Sequence, residues 1–455
     1  MNVAGKKIVL VGMGRSTTAA ARLLLREGAR PFITESSDAP RLDSWRAQCL
    51  EMGVPFEVGG HSMDAFEGAE MVVISPGVPL GADFLAPMHV RGIPIVGELE
   101  LAARFCRSRI IALTGTNGKT TATELLRAMI AACGHTVDLA GNNDRPLSLV
   151  ALPDEQPEYV VVEVSSYQLE TADTFHPWIA AVLNVTPDHL KRHGTMEGYA
   201  EAKARIFRRQ GAGDIAVVNA DDPFTRGMDT PKGADRIEFS MNREKPADAW
   251  MAADGYYLRG VRVAEIDDNP LPGRHNAENV LCALAMLASG GFDCAGMRSG
   301  LRAFQGVEHR IEHVLAGNGV DWYNDSKSTN VDSLRVALES FTRPIVLIAG
   351  GQAKDCDYRV IRDLFAAHVR HMVSIGDDAP KFEQAYGDLA PWERGESMDD
   401  AVARARRAAA PGDVVLLSPG CASFDWYGNF EERGRDFKRA VHALCGGVPT
   451  GAQRP

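Results

Sequence analysis

The sequence predicts an α/β chain of three domains, and three observations carry that prediction. At 455 residues it exceeds what one hydrophobic core usually serves and leaves room for about three domains of ordinary size. Apolar strand-like runs alternate with segments of helical period along most of its length. Several of those runs break into glycine-bearing turns directly before a helix, the place where α/β proteins hold their ligands. Domains are expected at 1–102, 103–306 and 307–455.

The first domain opens as a βαβ unit. Lys7 to Val11 reads as a strand, Gly12-Met-Gly14 as a turn, Thr17 to Arg26 as a helix closed by Gly28, and Pro31 to Thr34 as a second strand ending at Glu35. The two-glycine turn suits a phosphate at the helix start, and Glu35 is placed to reach a ribose. Thr17 stands where a dinucleotide fingerprint has its third glycine, so NAD is not expected. A further strand, Met71 to Ile74, runs into the stiff loop Ser75-Pro-Gly77-Val-Pro79, which either lines a cleft or merely connects.

The second domain starts on the most informative stretch. Ile110 to Leu113 is a buried-strand run, Gly115-Thr116-Asn117-Gly118 a turn, and Lys119-Thr120-Thr121 the start of a helix whose apolar side is Leu125, Leu126, Met129, Ile130 and Cys133, with Gly134 as its stop. Glycines let backbone N–H groups approach an anion, Lys119 can span terminal phosphates, and Thr120 can offer a hydroxyl to Mg²⁺. The spacing departs from Gly-x4-Gly-Lys-Ser/Thr, because Leu113 stands at the first glycine position.

Tyr159 to Val164 is another apolar strand, and it carries one carboxylate, Glu163. A charge in a buried strand is costly unless something pairs it, so Glu163 is read as a ligand, direct or through water, of that Mg²⁺. Ala181 to Val185 is a strand leading to Asp188-His189-Leu-Lys-Arg-His193. His189 and His193 have the spacing of a zinc pair but lack a third ligand, which leaves His189 as a candidate Mg²⁺ ligand. Lys203, in the helix Met196 to Arg208, reads by composition as a surface residue. After the turn at Asn219-Ala-Asp221-Asp222-Pro223, residues 226–268 look irregular, short-stranded and polar. Asn276 and Asn279 open the helix that continues through Val280 to Ala288, and serve there as caps or as partners for an adenine edge.

The third domain, from His309-Arg310, alternates strands near Val320, Pro344 to Ile348, His371 to Ile375 and Asp413 to Leu417 with helices. That pattern is a doubly wound parallel sheet, with polar loops at Asn324 to Asn330, Gly350 to Lys354, Gly376-Asp-Asp and Ser418 to Ser423. Gly446 to Pro455 reads as a loose tail.

A net charge of −11 argues against general nucleic-acid binding, so a phosphorylated ligand must be held by local cations, amides and metal. No apolar run reaches the length of a membrane helix, and the opening Met-Asn-Val-Ala-Gly-Lys-Lys leads into a strand instead of a signal-peptide pattern. The cytoplasm is therefore the expected compartment. Eight cysteines without a Cys-x-x-Cys pair are expected to be reduced and mostly structural.

Together, Gly-Thr-Asn-Gly-Lys-Thr-Thr at 115–121, Glu-Val-Ser-Ser-Tyr-Gln-Leu-Glu at 163–170, Asn-Val-Thr-Pro-Asp-His at 184–189, Gly-x-His-Asn at 273–276, Asn-Asp-Ser-Lys-Ser-Thr-Asn at 324–330 and Ser-Pro-Gly-Cys-Ala-Ser-Phe-Asp at 418–425 resemble the Mur ligases of peptidoglycan synthesis. The resemblance covers nearly the whole chain, in order, and is strongest to the branch that adds D-glutamate to UDP-N-acetylmuramoyl-L-alanine.

The resemblance implies an N-terminal Rossmann-like domain for the UDP-sugar, a central P-loop ATPase with a mostly parallel sheet, and a C-terminal Rossmann-like domain for the amino acid. It implies ATP-driven formation of an acyl phosphate, then attack by the amine of glutamate. By the same resemblance Gly115, Thr116, Asn117, Gly118, Lys119, Thr120 and Thr121 hold ATP. Thr120 and Glu163 serve one Mg²⁺, and His189 with a carbamylated Lys203 serves a second, which reverses the surface reading of Lys203. Lys119, His189 and Lys203 are then the catalytic set. Asn276 and Asn279 meet the adenine, Arg310 and Asp325 the rest of the nucleotide, and Thr329, Lys354, Ser423 and Phe430 the glutamate. Gly14, Ser16, Thr17, Glu35, Ser36 and Asn142 are the candidates for the UDP-sugar.

Two departures from the family pattern lie near substrate and metal. Asn143-Asp144 stands where Ile-Gly is usual, and Lys191 where Asp is usual. The same chemistry with L-glutamate or another amino acid, and an inactive nucleotide-binding protein on this fold, are the alternatives. Small-molecule substrates, no nucleic acid, no membrane segment and a monomeric chain are expected.

Overall fold

The computed structural model describes residues 1–143, 145–242, 247–352 and 357–445. It divides into two compact units: Met1–Asn269 with Glu278–Phe304, and Pro270–Ala277 with Gln305 onward. The first unit carries two sheets and the second unit one, each wound with helices in the α/β manner expected from the sequence.

In the first sheet β1 (Lys7–Val11), β2 (Arg30–Thr34), β3 (Phe56–Glu57), β4 (Met71–Ile74) and β5 (Ile95–Gly97) are all parallel in the order β3-β2-β1-β4-β5. The order reverses at β1, which opens a crevice between the carboxyl ends of β1 and β4. Gly12 lies there at φ +98°, and a Cβ on it would stand 2.9 Å from Ser75 Cβ, so glycine keeps these two loops close. The helix Arg15–Arg26 follows, capped at Gly14 and burying Ala19, Ala20, Leu23 and Leu24.

The second sheet has β6 (Arg109–Thr114), β7 (Val137–Gly141), β8 (Tyr159–Glu163), β9 (Ile179–Val182), β10 (Ile215–Asn219), β11 (Asp235–Ser240), β12 (Ala249–Ala252), β13 (Gly255–Leu258) and β14 (Val261–Glu265). Their order is β14-β13-β12-β11-β10-β9-β6-β8-β7. From β7 to β12 all pairings are parallel, and Ile111, Ala112, Leu113, Val160 to Val162 and Ile179 to Val182 are wholly buried, as a sheet covered on both faces requires.

The stretch 226–268, expected to be irregular and short-stranded, holds four short strands that extend this sheet. They are only four to six residues long, and β13–β14 contains a register shift, so the two-residue alternation is too brief to read. Trp250 and Tyr257, paired across β12 and β13, stack with ring centres 5.5 Å apart.

The third sheet contains β15 (Glu312–Gly317), β16 (Val320–Asn324), β17 (Ile345–Gly350), β18 (Val369–Ile375), β19 (Trp392–Arg394) and β20 (Val414–Leu417), in the order β15-β16-β20-β17-β18-β19. Only β15 runs antiparallel. Its carboxyl edge gathers the loops after β16, β17, β18 and β20. Gly350 and Gly351 have φ +123° and +138°, a region closed to side chains, and let the β17 loop pass against Ile375 and Ala422.

The seven described cysteines are free. No helix among the described residues is long and apolar enough to cross a membrane. Asp144, Lys354 and the tail 446–455 lie outside the described residues.

Candidate active site

The phosphate-type loop sits where the strand order of the second sheet reverses, between β8 and β9 at the carboxyl end of β6. Gly118 caps the helix Lys119–Ala132 at φ +81°, and a Cβ there would collide with the Asn279 carboxamide, so this glycine is required twice over. Lys119 Nζ donates to the carbonyls of Gly115 at 3.0 Å and Thr116 at 2.9 Å. Thr120 and Thr121 form the first turn of the helix, where N–H groups lack intrahelical partners.

The loop is held from the next strand. Asn184, just past β9, accepts from the N–H groups of Thr116 at 3.0 Å and Asn117 at 2.9 Å through Oδ1, and its Nδ2 donates to Asn117 O at 3.3 Å. Asn184 was not among the site residues read from the sequence. The available signal was an amide ending an apolar strand, but its meaning needs β9 to be known as the neighbour of β6.

On the other side, β8 ends at Glu163, 3 % exposed. Its Oε1 accepts from Asn142 Nδ2 at 3.1 Å, while Oε2 is buried without a hydrogen-bond partner among the described residues. Gly141 pairs with Glu163 in the β7–β8 register at φ +111°, and a Cβ there would strike the Glu163 carbonyl, so Asn142 is delivered to the carboxylate by a backbone approach only glycine permits.

Lys203, 1 % exposed, also donates to Gly115 O, at 2.8 Å, and its Nζ lies 4.4 Å from the centre of the Tyr199 ring. Burial, then the nearby Lys119 charge, push its ammonium well below the usual lysine range. The structure thus brings Lys119 and Lys203 to one carbonyl. His189 caps the short helix Leu190–His193 with a left-handed backbone, φ +53°, uncommon for a side-chain-bearing residue. Its ring meets Tyr167 OH at 3.2 Å through Nδ1 and Asp188 at 3.4 Å through Nε2.

Arg192, likewise missed in the sequence reading, clamps Glu170 with Nε and with NH2 at 2.7 Å, and donates to the Val78 carbonyl at 3.3 Å. It ties the His189 helix to the loop after β4. That loop borders a cleft of about 340 Å³ lined by Gly14, Ser16, Trp45, Pro76, Asn142 and Gln168 among others, so the first sheet's glycine turn and the Glu163 partner share one space. Ser36 donates to Glu35, which also accepts from the N–H groups of Met13 and Ser37, both at 2.8 Å. The Thr17 hydroxyl bonds the Gly14 backbone, so Glu35 and Thr17 shape the turn itself.

In the second unit Asn276 is buried, with Nδ2 donating to Pro272 O at 2.7 Å. Asp325, fully buried after β16, accepts from Ser418 Oγ at 2.9 Å and Ile311 N–H at 3.2 Å, and has Arg310 at 3.8 Å. Burial dominates and raises its carboxyl to about 6. Thr329 is half-buried and Ser423 buried, on the loops after β16 and β20. Phe430 opens the helix Phe430–Cys445 with Lys327 Nζ 5.9 Å from its ring. Arg433, 1 % exposed, clasps both loops, donating to Ser326 O at 2.8 Å, Cys421 O at 3.1 Å and Ala422 O at 3.2 Å.

Known proteins share this plan. The profile described as MurD-like N-terminal domain matches residues 6–97, the Mur ligase middle domain matches 113–287, and the Mur ligase glutamate ligase domain matches 309–421. A relative from Acidobacterium capsulatum named UDP-N-acetylmuramoylalanine--D-glutamate ligase is 40 % identical, with 98 % of each chain covered. One of the same name from Anaeromyxobacter dehalogenans is 42 % identical over 96 % of this chain and 97 % of its own. Among solved structures, the UDP-N-acetylmuramate-alanine ligase MurC of Thermotoga maritima superposes with TM-score 0.60 at 19 % identity, covering 96 % and 99 % of the two chains. MurF ligase of the same organism, solved in complex with ADP, superposes at 0.59 and 15 % identity, covering 98 % and 100 %. With three matched domains in order and relatives of this identity along its full length, the chain belongs to the Mur ligase family.

Proposed function

We propose that the chain joins UDP-N-acetylmuramoyl-L-alanine to D-glutamate, converting ATP to ADP and phosphate, in the cytoplasmic synthesis of peptidoglycan precursors. The names of the full-length relatives support this substrate pair. The observation that carries the chemistry is the Glu163 carboxylate, buried beside a phosphate-type loop with one oxygen that has no hydrogen-bond partner among the described residues. Such an oxygen is costly to keep unless a cation meets it when the ligand arrives. Magnesium, commonly held by one or two carboxylates together with substrate phosphates, would supply charge neutralisation between the meeting anions there.

Residues 1–102 would bind the UDP-sugar, with Gly14, Ser16 and Ser36 facing it, Thr17 and Glu35 fixing the turn, and Asn142 linking cleft to metal site. Residues 103–306 would bind ATP. Gly115 to Thr121 cradle its phosphates, Lys119 leaves its carbonyl partners for them, and Thr120 with Glu163 holds one Mg²⁺. His189 and Lys203 serve a second ion. Lys203 is suited to carbamylation because the reaction needs a neutral amine, and burial favours that form.

Asn276 and Asn279 are assigned to the adenine, and Arg310 and Asp325 to the rest of the nucleotide. In residues 307–455, Thr329, Lys354, Ser423 and Phe430 are assigned to glutamate. In the reaction an oxygen of the alanyl carboxylate attacks the γ-phosphorus and ADP leaves. The glutamate amine then attacks the acyl carbon, phosphate departs with the C–O bond electrons, and the amine loses a proton.

Purified protein supplied with ATP, Mg²⁺ and UDP-N-acetylmuramoyl-L-alanine should release phosphate and form product with D-glutamate. Turnover with L-glutamate alone, or with no amino acid at all, would refute the assignment.

A further inference from the structure

A second cleft, of about 290 Å³, opens at the opposite edge of the central sheet, where β6, β9 and β10 begin. Arg109, Trp178 and Asp214 stand at or beside the first residues of these strands. Along β6, Arg109 is separated from Gly115, where the phosphate-type loop begins, by six residue steps, about 20 Å of extended chain. In open α/β sheets the reaction centre occupies the carboxyl edge, so this cleft is not part of it.

Three features of the cleft suit an oxyanion. The Arg109 guanidinium lies 3.4 Å from the Trp178 ring centre, and its side chain makes no hydrogen bond or ion pair among the described residues. Stacking on an indole fixes the plane of a guanidinium while leaving its in-plane N–H donors open, the arrangement that meets a carboxylate or phosphate with two parallel bonds. Ser108, 7 % exposed, lines the same cleft, and its hydroxyl has no side-chain partner among the described residues other than the weakly polar Cys106 thiol. The acidic group present, Asp214, is already engaged, because its Oδ2 takes His176 and the Gly211 N–H, each at 2.7 Å. Ala103 and Ile110 complete an apolar wall.

We propose that this cleft binds a small organic acid, its carboxylate or phosphate on Arg109 with the Ser108 hydroxyl as a further donor, and its apolar body among Ala103, Ile110 and Trp178. It is an accessory site, separate from the one that binds nucleotide.

The full chain should be titrated calorimetrically with benzoate and with phenyl phosphate, in parallel with R109Q, S108A and K119A. At least one probe is expected to bind the parent and K119A equally. Affinity should fall at least tenfold in R109Q and severalfold in S108A, while R109Q keeps its ligase turnover within twofold. Binding of benzoate alone would identify the carboxylate as the recognised group, and binding of phenyl phosphate alone the phosphate. Equal binding by parent and R109Q, binding lost in K119A instead, or no binding of either probe would overturn the proposal. Arg109 is exposed, and matching thermal transitions of parent and R109Q would exclude misfolding as the cause of any loss.

Discussion

Replacing Glu163 by glutamine should move stability and activity in opposite directions. Glu163 is 3 % exposed, with one oxygen bonded to Asn142 at 3.1 Å and the other without a partner among the described residues. A buried acceptor left without a partner costs about 1–3 kcal/mol. Glutamine keeps an oxygen for Asn142 and puts a neutral amide where the second oxygen stood; that amide is also unpartnered but cheaper to bury. The expected net gain in metal-free, nucleotide-free protein is about 1 kcal/mol, or roughly 2–4 °C for a domain of this size. Turnover should fall on the order of 10²- to 10³-fold, the usual cost of removing one group that stabilises transition-state charge. Thermal melting without Mg²⁺ and ATP, paired with the phosphate-release assay, measures both. A Glu163→Gln protein that melts several degrees lower and keeps more than a tenth of its turnover would show the carboxylate to be structural.

Other substitutions probe the remaining parts of the site. Asn184→Ala leaves the Asn117 N–H without its acceptor while Thr116 N–H keeps the Asn184 main-chain oxygen. That loss of about 1–2 kcal/mol should raise the KM for ATP some 5- to 30-fold, and an unchanged KM would remove Asn184 from the loop's support. Lys203→Ala should lose turnover and regain part of it with added acetate or propionate, which replace the missing anion; activity equal to the parent without either acid would dismiss the carbamate. Asp325 has its folded-state carboxyl raised from 3.8 to about 6 by burial. Its contribution is therefore fully present below about pH 4 and lost as pH rises through 6, roughly 3 kcal/mol in all. Urea midpoints of the parent should fall relative to Asp325→Asn across that window, and parallel profiles would contradict the shift.

What could be read in advance followed from local chemistry. The β6 run, its glycine turn and the helix after it are contiguous, and Glu163 stands out because one charge interrupts a strand that is otherwise apolar. Asn184, Arg192 and Arg433 act across distances that sequence order hides. Asn184 matters because β9 lies beside β6, Arg192 because it reaches Val78, and Arg433 because the β16 and β20 loops adjoin. Lys203 looked like a surface lysine because its helix, Met196–Ala204, has no sharp apolar face. Only the Gly115 carbonyl and the Tyr199 ring, brought by other contacts, show why it is buried. Short strands were expected across 226–268, but that β11 to β14 continue the central sheet was not legible, because each is too short for alternation to accumulate.

The central claim is that the loop at Gly115 to Thr121 delivers a phosphoryl group to a carboxylate, not to water. Substrate carrying ¹⁸O in its alanyl carboxylate, turned over with ATP, Mg²⁺ and D-glutamate, tests this by ³¹P NMR of the released phosphate. One ¹⁸O should appear in that phosphate for each amide formed. Phosphate free of ¹⁸O, with ATP still consumed, would mean that water is the acceptor and would contradict the account.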